Sequence, residues 1–288
     1  MWKLRGDELS LRDPLIMGIL NVTPDSFSDG GTYIDADKAI AAGRAMRDAG
    51  AAIVDVGGES TRPYATGVSA SIELERVIPV VAGLAAEGIT VSIDTSKPSV
   101  AKAAVDAGAR IVNDVTGLVD PAMRSVCAET AAGVVIMHMQ GEPLTMQDNP
   151  VYNDVVVEVG RYLASQAVVA VEDGIRLESV AIDPGIGFGK SLHHNLELMR
   201  HLDALTHFGY PVLVGPSRKG FLGALLEPTR GATSAFDRDG ATAGAIAAAV
   251  INGASIVRTH NVQLGVDVAL VAKAMVPRRH DDQEINRT

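Results

Sequence analysis

Read for chemistry, the sequence puts a polar residue after almost every short apolar run. Asn21 closes "LIMGILN", and Asp55 with Glu59 falls in and after "AAIVDV". Asp94 ends "VSID", Asn113 falls in "ARIVND", His138 follows "GVVIM" and Asp183 ends "SVAID". Ser217 and Lys219 follow "YPVLVGP", and Arg258 and His260 lie in "SIVRTH". Strand ends chosen for backbone reasons alone favour Gly, Ser or Asn, so this run of acids, bases and amides is a chemical set. In a chain of net charge −10, Arg62, Lys219, Arg258 and His260 would focus an anion such as a phosphate ester. Asp94, Asn113 and Asp183 supply the acceptors and the amide needed to read a flat heterocycle rich in N–H donors. Together they point to a phosphorylated heterocycle.

The elements that must position this set show as a repeat: a helix-like stretch, a glycine, then a short β-branched run. It occurs as "RDAGAAIVDV", "AAEGITVSI", "DAGARIVND", "TAAGVVIM", "EDGIRLESVAI", "HFGYPVLV" and "INGASIVRT". Gly50, Gly88, Gly108, Gly133, Gly174, Gly209 and Gly253 are expected just past helix ends, where φ > 0 costs glycine least. With "LIMGILN" added there are eight apolar strands, and runs without polar alternation suit parallel strands covered on both faces. The expected fold is α/β, a (β/α)8 barrel with its active site at the C-terminal ends of the strands. A doubly wound open sheet would carry a G-x-G-x-x-G turn after the first strand, which "NVTPDSFSDGG" lacks. Ser96 is expected as an N-cap with Pro98 in the first turn that follows. The 288 residues read as one domain over 1–288, with 276–288 a frayed C-terminal tail.

Composition narrows the class. With 47 % hydrophobic and 4 % aromatic residues, helices packed closely on a sheet are expected rather than a disordered chain. Cys127 is the single cysteine, which rules out a disulfide framework and a cysteine zinc site, and is expected as a small core residue. No basic-then-apolar leader opens the chain and no stretch nears about 18 apolar residues, so a cytoplasmic protein without a membrane partner is expected. The net charge argues against nucleic acid.

Some stretches imitate motifs. "GPSRK" begins like a nucleophile elbow but ends in Lys219, so Ser217 is not expected to be a nucleophile. "GIGFGK" at 185–190 lacks Walker A spacing and is expected to be a mobile loop that lets substrate approach the backbone. His193, His194, His201 and His207 share one predicted helix without H-E-x-x-H and are expected to be solvated or packing residues. The methionines of "MHMQGEPLTMQ" are expected to be packing.

"GILNVTPDSFSDGG", "DVGGESTRP", "SIDTSKP", "NDV", "IMHMQGEPLTMQ", "DPGIGFGK", "GPSRKGFLG" and "RTH" together resemble the dihydropteroate synthase family over about residues 15–275. That family joins a dihydropterin methyl diphosphate to 4-aminobenzoate in folate biosynthesis, giving dihydropteroate and diphosphate. The resemblance implies that Asn21 holds Mg²⁺ against the diphosphate. It implies that Thr61, Asp94, Asn113, Asp183, Lys219, Arg258 and His260 bind the pterin diphosphate, Arg258 and His260 at its phosphates. It also implies that Thr61, Arg62, Pro63, Phe188 and Ser217 form the aminobenzoate site, and that Phe27 and Asp29 belong to a lid that orders with ligands. Sulfonamides mimic the aminobenzoate in this family, and a homodimer through the outer helices is its default. Tyr64 stands where a small residue is frequent, and Asn261 follows His260 where an acid is common. Two rivals share the fold: a pterin-dependent corrinoid methyltransferase, and a non-catalytic homologue serving as a binding subunit.

Overall fold

Strand pairing decides the architecture. The computed structural model describes residues 1–23, 36–60, 67–142 and 144–276. A short antiparallel hairpin, β1 (Trp2–Leu4) with β2 (Asp7–Leu9), precedes eight parallel strands. These are β3 (Leu15–Asn21), β4 (Ile53–Gly57), β5 (Val91–Asp94), β6 (Ile111–Asp114), β7 (Gly133–Met137), β8 (Val180–Asp183), β9 (Leu213–Val214) and β10 (Ile256–Thr259). Their order is β8-β7-β6-β5-β4-β3-β10-β9. A parallel bridge from Ile182 to Val212, with Ile182 N donating to Pro211 O at 2.9 Å, brings the two ends of that sheet together. The eight apolar runs of the sequence are these eight strands, and they form the expected barrel.

Helices cover the outside: α1 (Ala36–Asp48), α2 (Ala70–Ala86), α3 (Pro98–Asp106), α4 (Pro121–Thr130), α5 (Val155–Glu172), α6 (Leu192–Arg200), α7 (Asp203–Thr206), α8 (Gly220–Arg230), α9 (Asp239–Ile251) and α10 (Val262–Met275). With helices outside and side chains inside, every residue of β4 and β7 is buried, which is why no polar alternation shows in their sequences. Side-chain caps set several helix starts: Ser69 accepts from Ile72 N, and Asp154 accepts from Val156 N and Val157 N.

Two local expectations fail. Ser96 is not an N-cap; α3 begins one residue later, Lys97 occupies the cap position in extended conformation, and Thr95 Oγ1 takes the Lys97 N–H at 3.2 Å. Pro98 does open the helix. Six of the seven handover glycines have φ between 75° and 115°, but Gly133 does not, because Ala131 takes the left-handed turn at φ 54°. Gly133 is needed for closeness instead: a Cβ there would lie 2.5 Å from Leu4 Cδ2.

That contact belongs to a plug. The lower barrel interior is filled by Met17, Ile53, Ile111, Val135, Ala181, Leu213 and Ile256, and the hairpin adds Trp2 and Leu4 to the same cluster. Trp2 is fully buried and its indole Nε1 donates to Ser179 O at 2.9 Å, so the large ring is both packed and polar-satisfied. Cys127 is buried on α4, where burial pushes its thiol up to about 12, leaving it inert. Trp2→Ala should cost about 3–5 kcal/mol by opening a cavity under the barrel. Urea unfolding of the two chains checks this, and equal midpoints would refute the sealing role.

Candidate functional site

Register builds the site floor. Asn21 pairs with Gly57, Gly57 with Asp94, and Asp94 with Asn113, a lateral row across β3 to β6 at the strands' C-terminal ends. One step lower, Asp55 lies between Ile19 and Ser92. Gly57 lies between the two polar ends: a Cβ there would make ordinary contacts, 3.8 Å from Asn21 Oδ1 and 3.7 Å from Asp94 Oδ2. Asp183, the last residue of β8, pairs with Met137.

Charge then fills the row. Arg258, expected at the phosphates, is bonded to two of the floor acids. Its Nε donates to Asp55 Oδ2 at 2.6 Å and its Nη2 to Asp94 Oδ2 at 2.7 Å. The reason is reach: β10 adjoins β3, and a guanidinium from there meets both carboxylates in a fork. Asn113 Nδ2 also donates to Asp55 Oδ2, at 3.1 Å. Asp55 Oδ1 and Asp94 Oδ1 are buried and have no hydrogen-bond partner among the described residues. Burial pushes Asp94 up to about 7 against the pull of Arg258, with Asp55 adding to the rise. Asp183 Oδ1 accepts from Gly185 N at 2.7 Å, and burial raises this acid to about 6. The floor thus offers acceptor oxygens that are costly to leave unpaired.

The wall joins the two expected subsites. Lys219 Nζ lies 3.8 Å from the centroid of the Phe188 ring, a cation over an aromatic face. Ser217 Oγ and His260 Nδ1 are 2.9 Å apart, and His260 N and Thr259 Oγ1 both donate to Ser217 Oγ, at 3.2 and 3.4 Å. Phe188 and Ser217, expected at the aminobenzoate, are therefore in direct contact with Lys219 and His260, expected at the pterin diphosphate. Ser217 is held by three groups, which suits a wall residue better than a nucleophile. Thr61, Arg62, Pro63 and Tyr64, like Phe27 and Asp29 of the expected lid, lie outside the described residues.

The 185–190 segment is packed close, contrary to the mobile loop expected. A Cβ at Gly185 would fall 1.9 Å from His138 O, and one at Gly189 2.3 Å from Gln140 O. Lys190, which the sequence reading passed over, is buried beneath it and donates to Phe188 O at 2.8 Å and His138 O at 3.3 Å, with His138 Nδ1 at 3.0 Å. Burial brings this ammonium down to about 7 and His138 down to about 3. The glycines and lysine of "GIGFGK" were the visible signal; their use in holding two strand ends together was not. Glu59 turns away from the floor: Lys97 Nζ bridges it and Glu73 at 2.8 and 2.6 Å. His194 caps α6 with Ser191. Met137 and Met146 pack with Val115 around Phe188, as expected of gap-filling methionines.

No group of three or more His, Cys, Asp or Glu able to hold a metal occurs among the described residues. Asn21 offers one amide oxygen beside Asp94. Mg²⁺ commonly keeps waters and takes most of its protein-side contacts through substrate phosphates, so a single hard oxygen at the strand end fits an ion carried by a diphosphate.

A parallel barrel with an acid-and-amide floor and a Lys–His wall over one mouth defines a barrel enzyme with a pocket for a flat, N–H-rich anionic ligand. Residues 17–260 match the family described as pterin binding enzymes. The chain is 45 % identical over 281 residues to the dihydropteroate synthase of Escherichia coli (strain K12), covering 96 % of this chain and 97 % of that one. It is 48 % identical over 271 residues to the dihydropteroate synthase of Mycobacterium leprae, covering 92 % and 95 %. A Yersinia pestis dihydropteroate synthase crystallised as a sulfonamide drug complex superposes with a TM-score of 0.88 at 41 % identity, covering 94 % and 98 %. The chain belongs to the dihydropteroate synthase family.

Arg258→Ala should destabilise the chain by about 3–5 kcal/mol at pH 8, because Asp55 and Asp94 stay buried without their counter-charge. Asp94, already raised by burial, titrates higher still without Arg258, so its share of the penalty is full above that raised pKa and shrinks as pH falls through it. Denaturant unfolding at pH 8 and pH 5.5 checks this; a gap that widens at low pH would refute the charge account.

Proposed function

We propose that the chain condenses (7,8-dihydropterin-6-yl)methyl diphosphate with 4-aminobenzoate to give 7,8-dihydropteroate and diphosphate. The observation that carries the reading is the row of buried carboxylate oxygens around Arg258: Asp55 Oδ1 and Asp94 Oδ1 await donors and Asp183 stands on the adjoining wall. A pterin's amino-pyrimidinone edge presents such donors side by side, and carboxylates recognise them in pairs. Asn113 orients Asp55, and Lys219 over Phe188 closes one face of a flat slot. Asp94 and Asp183 lie where positive charge on a pterin ring would be favoured.

The chemistry needs anion stabilisation more than a strong base. The C–O bond of the pterin methylene breaks with its electron pair leaving on diphosphate, and the resulting pterin cation is delocalised into the ring. The arylamine lone pair then forms the C–N bond, and the amine proton passes to solvent or to the departed diphosphate. Lys219 and His260 would meet the charge growing on the diphosphate, each good donor contributing ~3 kcal/mol, about two powers of ten in rate. Mg²⁺, held by Asn21, would supply further neutralisation of that leaving group. Ser217 beside His260 would seat the aminobenzoate next to the bond being broken, so that one wall serves both substrates. Thr61, Arg62, Pro63, Phe27 and Asp29 would complete the aminobenzoate side and its cover.

A second copy of the chain is the partner this reading implies. Ile251 of α9 and Leu270, Val271 and Met275 of α10 are exposed by 48, 61, 55 and 69 %, apolar area on the outer helices that a homodimer would cover. The reading places the enzyme in the cytoplasm, and the lone buried thiol of Cys127 suits a reducing compartment. No helix among the described residues is long and apolar enough to cross a membrane.

Pyrophosphate release should require Mg²⁺, the dihydropterin methyl diphosphate and 4-aminobenzoate together. Release without the amine, or methyl transfer to a cobalamin acceptor, would refute the synthase reading, and binding without turnover would favour a binding subunit. Because Asp94 (about 7) and Asp183 (about 6) must be carboxylates to accept donors, kcat/KM for the pterin substrate should fall roughly tenfold or more from pH 8 to pH 5.5. Asp183→Asn should lower kcat/KM at pH 8 and remove its share of that dependence.

A further inference from the structure

Arg218 is one of three non-glycine residues in the left-handed region among the described residues, with φ 59°. It sits between two wall residues, Ser217 and Lys219. An arginine there is strained relative to ordinary backbone, and such a conformation persists only where its surroundings over-determine it. They do so from behind. Arg218 N donates to Thr242 Oγ1 at 3.0 Å, and Arg218 O accepts from Arg238 Nη1 at 3.2 Å. Its side chain turns away from the pocket: Nε donates to Asp239 Oδ1 at 2.7 Å and Nη2 to Asp239 Oδ2 at 3.0 Å. The Phe236 ring lies 4.9 Å from the guanidinium carbon.

Asp239 holds the other half of the wall as well. Its Oδ2 accepts from Asn261 Nδ2 at 3.1 Å, and Asn261 directly follows His260. Asn261 Oδ1 in turn accepts from Leu264 N at 3.2 Å, capping α10. One carboxylate at the first residue of α9 is thus bonded to the residue between Ser217 and Lys219 and to the residue after His260. Ser217 and His260 touch each other in front of it at 2.9 Å.

Resting on the reading above, we propose that Asp239 is a positioning residue for the condensation: through Arg218 and Asn261 it fixes the relative placement of Ser217, Lys219 and His260, and so the wall shared by both substrates. Asp239 touches no substrate. The hydrogen bond from Arg218 holds its carboxyl below the usual aspartate range, so it is ionised across the working pH range. The amide of Asn261 suits this node, because a carboxylate at 261 would face Asp239 at hydrogen-bond distance as a like charge. Arg218 is equally specific, since only a planar fork spans both oxygens; lysine would keep the charge and lose the second bond.

The test is a double-mutant cycle on the full chain: Asp239→Asn, Arg218→Lys and both together, with Asn261→Asp as an independent probe. Glu87→Gln is the control, breaking a surface pair in which Arg44 Nε donates to Glu87 at 2.7 Å, and should be parent-like. Steady-state constants for both substrates, calorimetric binding of the dihydropterin methyl diphosphate and thermal melting are measured on each. Either single variant should raise both KM values and the pterin Kd about tenfold and lower kcat as well, and the double should be no worse than the worse single. Asn261→Asp should move the same constants in the same direction. A pair that merely staples α8 to α9 would lower the melting temperature and leave KM and Kd unmoved, which would overturn the proposal; so would multiplicative losses in the double variant. A working parent with parent-like Asp239→Asn removes this inference alone, whereas a parent that neither binds the diphosphate nor turns over removes the functional reading and this inference with it.

Discussion

One guanidinium between two carboxylates is the constraint around which the rest of the barrel is arranged. Arg258 meets Asp55 and Asp94 at 2.6 and 2.7 Å inside the sheet, where desolvation costs several kcal/mol per ion and only good geometry offsets it. Such geometry needs the three strands held to a fraction of an ångström. The continuous parallel ladder from β10 through β3 and β4 to β5 does this: Asp55 and Asp94 lie on paired strands, and β3 ties them to the strand of Arg258. The cluster also needs a dry base. Trp2, Leu4 and the apolar residues beneath supply it, so a hairpin far from the pocket in sequence and position sets the dielectric in which the pocket's charges act.

Glycine sets the spacing above that base. At Gly185 and Gly189 it lets one strand-end loop lie against the carbonyls of another. Lys190 then takes one of those carbonyls, His138 O, together with Phe188 O of its own loop, at the cost of a buried, weakened ammonium. That segment is closely packed, and a ligand seated against it would spend little on ordering it.

The sequence shows most of this frame because the frame is periodic. Eight β-branched runs with polar ends are local signals, and Asn21, Asp94, Asn113, Asp183, Lys219 and His260 all lie at the strand ends where their positions along those runs placed them. What was not legible depends on partners far away in the chain. Which carboxylates hold Arg258 is decided in part by Asp55, 203 residues away. Whether Gly133 serves a turn or a close contact is decided by Leu4, and nothing near "MWKLRGDEL" marks it as a plug. Ser96 illustrates the smaller scale: Thr95 and Ser96 could each serve the helix start, and one residue of phase separates the outcomes. The wall contact between Ser217 and His260 likewise joins segments whose spacing in sequence carries no trace of it.

The charge distribution bears on how the leaving group is met. Among the described residues around the floor and wall, Arg258 is committed to two carboxylates and Lys190 to carbonyls, while Asp183 adds another negative charge. Lys219 and His260 belong to the wall that the proposed reaction would turn toward an arriving diphosphate. A diphosphate monoester carries more negative charge than these two can neutralise in a low-dielectric mouth. The proposed Mg²⁺ would make up the difference, with Asn21 at the end of β3 supplying one oxygen. On this argument the protein's contribution is less to add positive charge than to fix where it stands: Ser217 against His260, Lys219 over Phe188, and both peptides held from behind. A site built this way gains rate by preorganisation, since its dipoles and charges need not reorient as the C–O bond breaks.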